Sequence, residues 1–246
     1  MSYLFTLHEL NYKSNIPTKL YVIIYIDKVG GSMLYNLAYA FMIFIIVSFV
    51  GWLMEVVAVF ILTRKIINRG FLIGPYCPIY GWCALLIVLF LFTYDKDPLN
   101  LYILFVLYAS IAEYFTSFIM EKLFGFRWWD YSHEKFNLNG RISLFTSLLF
   151  GIFGVIFVYF AGPALFNFLH NFSNQTLVII SLIIFIIYIV DNIITFIIVK
   201  KFKKNIKLVN KDVTEDLNNH VKKSLEHNHI VKAFPNVKKI VSNLLK

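Results

Sequence analysis

Three acidic residues sit where acids rarely sit, inside long apolar stretches of the chain. Glu55, Glu113 and Asp191 each stand nine positions ahead of a basic residue, namely Arg64, Lys122 and Lys200. At 1.5 Å per residue in a helix, nine positions put every carboxylate about 13 Å from that basic boundary. If the three helices adjoin, the carboxylates share one layer. An ionised side chain in a bilayer costs at least about 2.5–3.5 kcal/mol, so such a residue marks an ion path, a pocket or a counter-charge. The flanking residues suit a packed interior. Ser48 and Gly51 precede Glu55 by seven and four positions, leaving room for a second helix, and Ser110 and Ser117 share a face with Glu113. Asp191 has only Asn192 and Thr195 beside it. The structural alternative is that each acid pairs with an arginine or a tryptophan and only holds helices together.

The cations that could answer these acids come from two loops. The segment from Asn68 and Arg69 to Gly81 carries Gly70, Gly74, Pro75 and Pro78, a density that excludes a continuous helix. The helix beginning at Pro78 is too short to cross a bilayer. The economical reading is a loop that dips into the membrane, tolerable only where protein or water surrounds its backbone. The second loop runs Arg127-Trp128-Trp129-Asp130-Tyr131 and then Asn137-Leu138-Asn139-Gly140-Arg141. Its tandem tryptophans read as headgroup-level anchors. Arg69 and Arg141, each near Asn and Gly, can present a guanidinium to a phosphate or to the buried acids. Glu55 and Glu113 each precede an arginine by fourteen residues (Arg69 and Arg127), a faint repeat suggesting two parallel helical hairpins in tandem.

Composition sets the elements that must position these groups. Of 246 residues, 59% are hydrophobic and 15% charged, with mean hydropathy +0.70. That balance excludes a water-soluble domain and predicts an all-α, polytopic transmembrane helical bundle of about five helices. Apolar stretches cover 35–62, 79–94, 99–121, 142–162 and 176–199; four are long enough to span and the second is short. Residues 1–34 form an N-terminal extension, 35–199 the transmembrane domain and 200–246 a basic tail.

The short loops at the ends of the first, third and fifth stretches hold most of the arginine and lysine. The positive-inside rule then places the C-terminus in the cytoplasm and the N-terminus outside, although Lys13, Lys19 and Lys28 run against it. Twelve lysines and four acids give the tail +8 of the whole charge of +9. Val213, Leu217, Val221 and Leu225 recur every fourth residue as the apolar stripe of an amphipathic helix, and Pro235 separates a second short helix. A basic amphipathic tail beside a membrane suits anionic lipid and not nucleic acid.

Other chemistries find little support. Cys77 has no histidine or asparagine in a membrane segment to activate it. His220, His227 and His229 have no cysteine partners for a metal. The chain contains no phosphate-binding G-x-x-x-x-G-K-[ST] loop, so it hydrolyses no nucleotide by that route. No cofactor motif is present. A divalent cation is a ligand the acids could take if the chain were an intramembrane enzyme or lipid-headgroup binder.

Several segments together resemble the bacterial ABC-transporter type IV membrane proteins, the CmpB-like family. They are Gly51-Trp52-Leu53-Met54-Glu55, Asn68-Arg69-Gly70-Phe71 leading into Gly74-Pro75-Tyr76-Cys77-Pro78-Ile79-Tyr80-Gly81, Glu113-Tyr114, Glu121, Arg127-Trp128-Trp129-Asp130-Tyr131 and Phe136-Asn137-Leu138-Asn139-Gly140-Arg141-Ile142. The resemblance spans roughly 35–192. Cys83 and Ser143 depart from it, since glycine and cysteine are usual there. It implies a permease-like component of the cell membrane that relies on a separate ATP-binding subunit. The candidate pocket residues are therefore Glu55, Asn68, Arg69, Glu113, Glu121, Arg127, Asp130, Asn139, Arg141 and Asp191. A lipid-acting enzyme and a structural or regulatory subunit with the tail as its docking arm stay open as alternatives.

Overall fold

The computed structural model describes residues 33–91, 97–125, 127–209, 223, 225 and 228–244. The N-terminal extension before Met33 lies outside them, as do Val213, Leu217 and Val221 of the tail stripe. Helix α1 runs Met33–Thr63, α2 Pro78–Leu86 with a π-helical extension Ile87–Leu91, and α3 Pro98–Phe124. A two-stranded hairpin, β1 Asn137–Leu138 and β2 Ile142–Ser143, precedes α4 Leu144–Ile156. A π-helical turn, Phe157–Ala161, leads from α4 into α5 Gly162–His170. Helix α6 covers Asn174–Val209, and the tail adds α7 His229–Ala233 and α8 Pro235–Leu244.

The chain is thus an all-α bundle, and among the described residues four helical segments are long and apolar enough to cross a membrane, Leu144–His170 counting as one. The outward faces are greasy. Ile183, Ile186, Ile187, Ile193 and Ile197 of α6 are all exposed, a contiguous apolar stripe that only a lipid environment or a partner can cover.

Each helix start has a local cause. Asp97 caps α3 by accepting from the Asn100 amide at 3.1 Å, with Pro98 in the first turn. Ser143 and Thr146 form a reciprocal capping box at the start of α4, which satisfies amides that would otherwise be orphaned. Helix α3 stops at Gly125, whose φ of +86° is the left-handed closure a side chain resists.

Why α2 is short follows from where it begins. The amide of Cys77 donates to the carbonyl of Ser48 at 2.9 Å. Ser48 lies sixteen residues above Arg64 in α1, about 24 Å of helix. The loop after α1 therefore climbs back along α1 before α2 starts, and the fourteen residues from Pro78 to Leu91, about 21 Å of helix, suffice to reach the level of Met33. Close approach permits this. Gly81 packs on Phe44 and Ser48, and Gly51 packs on the ring of Tyr80.

Helices α3 and α4 repeat the arrangement. Gly151 lies against Tyr102 and Val106, and Gly154 against Phe105, while the Ser110 hydroxyl donates to Ser147 at 2.7 Å. Beyond the π turn and Pro163, α5 crosses to α1 and α6. There Leu165, Phe166 and Leu169 pack with Tyr35, Ala38 and Leu177.

Candidate functional site

The two loops at the basic end of the bundle rise inside it and bring their side chains to the acids. In the first, Asn68 fixes the backbone. Its Oδ1 accepts from the Trp52 indole at 2.7 Å and from the Gly70 amide at 2.9 Å, and its Nδ2 donates to the Ile73 carbonyl. This aims Arg69 towards α1, where Nε stands 4.0 Å from Glu55 Oε2. The Tyr80 hydroxyl donates to Glu55 Oε1 at 2.7 Å. Cys77 is buried beside this pair.

The second loop serves Glu113, which is only 5% exposed. The Tyr131 hydroxyl donates to Glu113 Oε1 at 3.1 Å, and the buried Oε2 accepts from nothing.

One turn or two nearer the basic end lies an ionic knot. Glu121 Oε2 accepts from Arg141 Nη2 and also, at 3.2 Å, from Arg127 Nε. Arg141 is buried, donates to Ser117 Oγ at 3.2 Å, and lies over the rings of Tyr114 and Phe118. Arg127 Nη1 donates to the Asn139 carbonyl at 2.8 Å and stands 3.9 Å from Asp130. The Asn139 amide donates to the Tyr114 hydroxyl. Gly140, at φ +67°, is tight against Asp130, Arg127 and Ser132, so a side chain there would split the knot.

Of the sequence candidates, Glu55, Asn68 and Arg69 form one group, and Glu121, Arg127, Asp130, Asn139 and Arg141 a second. Glu113 sits between the second group and Tyr131. Asp191 stands apart from both. Its Oδ2 accepts from the Gly74 amide at 3.1 Å, and the Tyr76 hydroxyl bonds it from the same loop. It anchors the back of the first loop to α6. Thr195, one turn on, is fully buried and its hydroxyl is unpartnered. Sequence reasoning missed Tyr80 and Tyr131 as donors to the glutamates. One tyrosine at the start of α2 and one in the second loop were the available signal, masked by the many others in the chain.

The tryptophan pair requires a correction. Trp128 is only 1% exposed and packs among Phe71, Phe124 and Phe234; Trp129 donates its indole proton to the Arg141 carbonyl. The chain's own tail, not a headgroup layer, surrounds Trp128. Val237 and Val241 of α8 and Ile230 and Val231 of α7 complete that core with Val199 and Phe202 of α6.

Among the described residues, no three His, Cys, Asp or Glu side chains are grouped to hold a metal ion. The model of a protein family described as "Putative ABC-transporter type IV" matches residues 42–196. Comparison with curated proteins and with solved structures gives no match.

Proposed function

This chain belongs to the ABC-transporter type IV family of membrane proteins, and from that premise we propose that it is the permease-like component of a bacterial cell-membrane transporter. Its substrate path runs through a pocket opening to the cytoplasm and walled by Glu55, Glu113, Arg69, Arg127 and Arg141. Energy comes from a separate ATP-binding subunit. The observation that carries the reading is the delivery of a tyrosine hydroxyl to each of two in-span glutamates, from the first turn of α2 to Glu55 at 2.7 Å and from the second loop to Glu113 at 3.1 Å. Broken or re-entrant segments that meet between two helical repeats are a recurrent way to build a transport site, because irregular backbone deep in a membrane is tolerable only around a cavity or inside protein. The three arginines are matched to carboxylates or carbonyls, which suits a charged pocket wall better than a free phosphate clamp.

The test is Glu55→Gln and Glu113→Gln, singly, in cells that depend on this chain. Loss of complementation or of substrate movement, with the protein still folded in the membrane, supports the pocket. Unchanged growth, export phenotypes and uptake in both folded variants would end it. Cross-linking in the native membrane checks the energy source, with an ATP-binding subunit as the expected partner.

A further inference from the structure

One guanidinium is claimed from two sides. Arg69 Nη1 donates to the carbonyl of Ala233 in the tail, and its central carbon lies 5.9 Å from the centre of the Phe234 ring. On the other side its Nε, 4.0 Å from Glu55, is buried and donates to nothing. A buried donor left short of an adjacent carboxylate is an unfavourable compromise. It persists here because the tail holds the other edge of the same group.

The tail also holds the second loop. Phe234 packs edge-on against Trp128 at 5.0 Å, and Asn236 Nδ2 donates to the Arg127 carbonyl at 2.9 Å. Helices α7 and α8 therefore bridge both re-entrant loops at the residues bearing Arg69 and Arg127. Val237 and Val241 face inward, while Lys232, Lys238 and Lys239 point away. A segment that only anchored the chain to lipid would have no need of these contacts.

We infer that residues 228–244 are a latch acting in cis on the pocket. When docked, the segment holds Arg69 short of Glu55 and braces the two loops together. When released, Arg69 turns to Glu55 and closes a full ion pair. The latch names the regulation of the proposed pocket and rests on the permease reading only for what it controls. Tail docking and the Arg69–Glu55 pair compete for one group, so each weakens the other, and by linkage the effect is reciprocal. Abolishing the Glu55 charge must tighten the tail.

Hydrogen exchange on the full chain in lipid nanodiscs reads this directly, because tail amides exchange through local opening. In Phe234→Ala, amides of 229–244 exchange faster than in the wild type. In Glu55→Gln they exchange slower, by about fivefold or more, while α3 and α6 keep their protection. Tail exchange in Glu55→Gln equal to or faster than wild type overturns the latch. Should Glu55→Gln lose protection in α3 and α6, Glu55→Asp, which withdraws the carboxylate by one methylene, takes its place with the same expected direction and the same overturning result. Slowed tail exchange with transport intact supports the latch and removes the pocket. Lost transport with unchanged tail exchange removes the latch and keeps the pocket.

Discussion

Glu121 takes two guanidinium groups on a single carboxylate oxygen, and the two are not equivalent. Arg141 has a 9% exposed side chain, while the side chains of Arg127 and Asp130 are each 32% exposed. A hydrogen bond to a charged group from a buried donor is worth about 1.5–3 kcal/mol, whereas a surface pair is worth at most about 1 kcal/mol. Arg141→Gln leaves Glu121, a third exposed, still bonded by Arg127, and is expected to lower stability by about 2 kcal/mol, and Asp130→Asn by less than about 1 kcal/mol. Thermal unfolding of the purified variants in one detergent checks the difference, and equal losses would mean that Arg141 is not buried against Glu121. At this scale the sequence named the acids and the arginines but not their pairing. Nine-residue spacing gave Glu55, Glu113 and Asp191 a common depth, yet Asp191 went to the backbone of the Gly74 turn. Depth along a helix says nothing about which face the side chain leaves from.

Helix packing carries the next decision, since two half-length climbs of the backbone fit only where the neighbours are small. Gly81 is the most constrained case. A Cβ there would meet the Ser48 hydroxyl and, less forgivingly, the backbone carbonyl of Phe44. Overpacking of this kind costs about 1–3 kcal/mol, and a backbone atom cannot swing aside as a long side chain can. Gly81→Val should lower stability by about 2 kcal/mol, measured by the same unfolding assay. It should also push α2 off α1 far enough to break the Cys77–Ser48 hydrogen bond, seen as faster exchange of the Cys77 amide. An unshifted melting temperature and unchanged exchange would show that α1 and α2 are not in this contact. The short second stretch and its Gly- and Pro-rich approach made the re-entrant loop legible in the sequence. The matching climb of the second loop was not, because 127–143 has fewer prolines and its hairpin is held by Asn137 and Gly140 through contacts no periodicity announces.

Across the whole molecule, the tail changes what the basic end means. Read as sequence, its lysines were a charge surplus beside a membrane. In the structure Lys203 donates to the Leu123 carbonyl at the end of α3, and the valines of α8 close a core under both loops. Pro235 marked the start of the last short helix in the sequence, but nothing there showed that its Val237 and Val241 would join the core of Trp128 instead of lipid. The same charges carry the proposed orientation of the bundle. Lysine and arginine crowd the ends where α1, α3 and α6 finish, and the turn between α5 and α6, residues 171–173, has none. Positive-inside bias predicts that this turn lies outside and α8 in the cytoplasm. In a chain with Cys77 and Cys83 replaced by serine, Asn171→Cys should react with a membrane-impermeant maleimide in intact cells. Lys239→Cys should react only after permeabilisation; both positions are exposed in the fold. The reverse pattern would put the latch and both re-entrant loops on the outer face. No cytoplasmic ATP-binding subunit could then reach them, and the pocket would have to open away from its energy source.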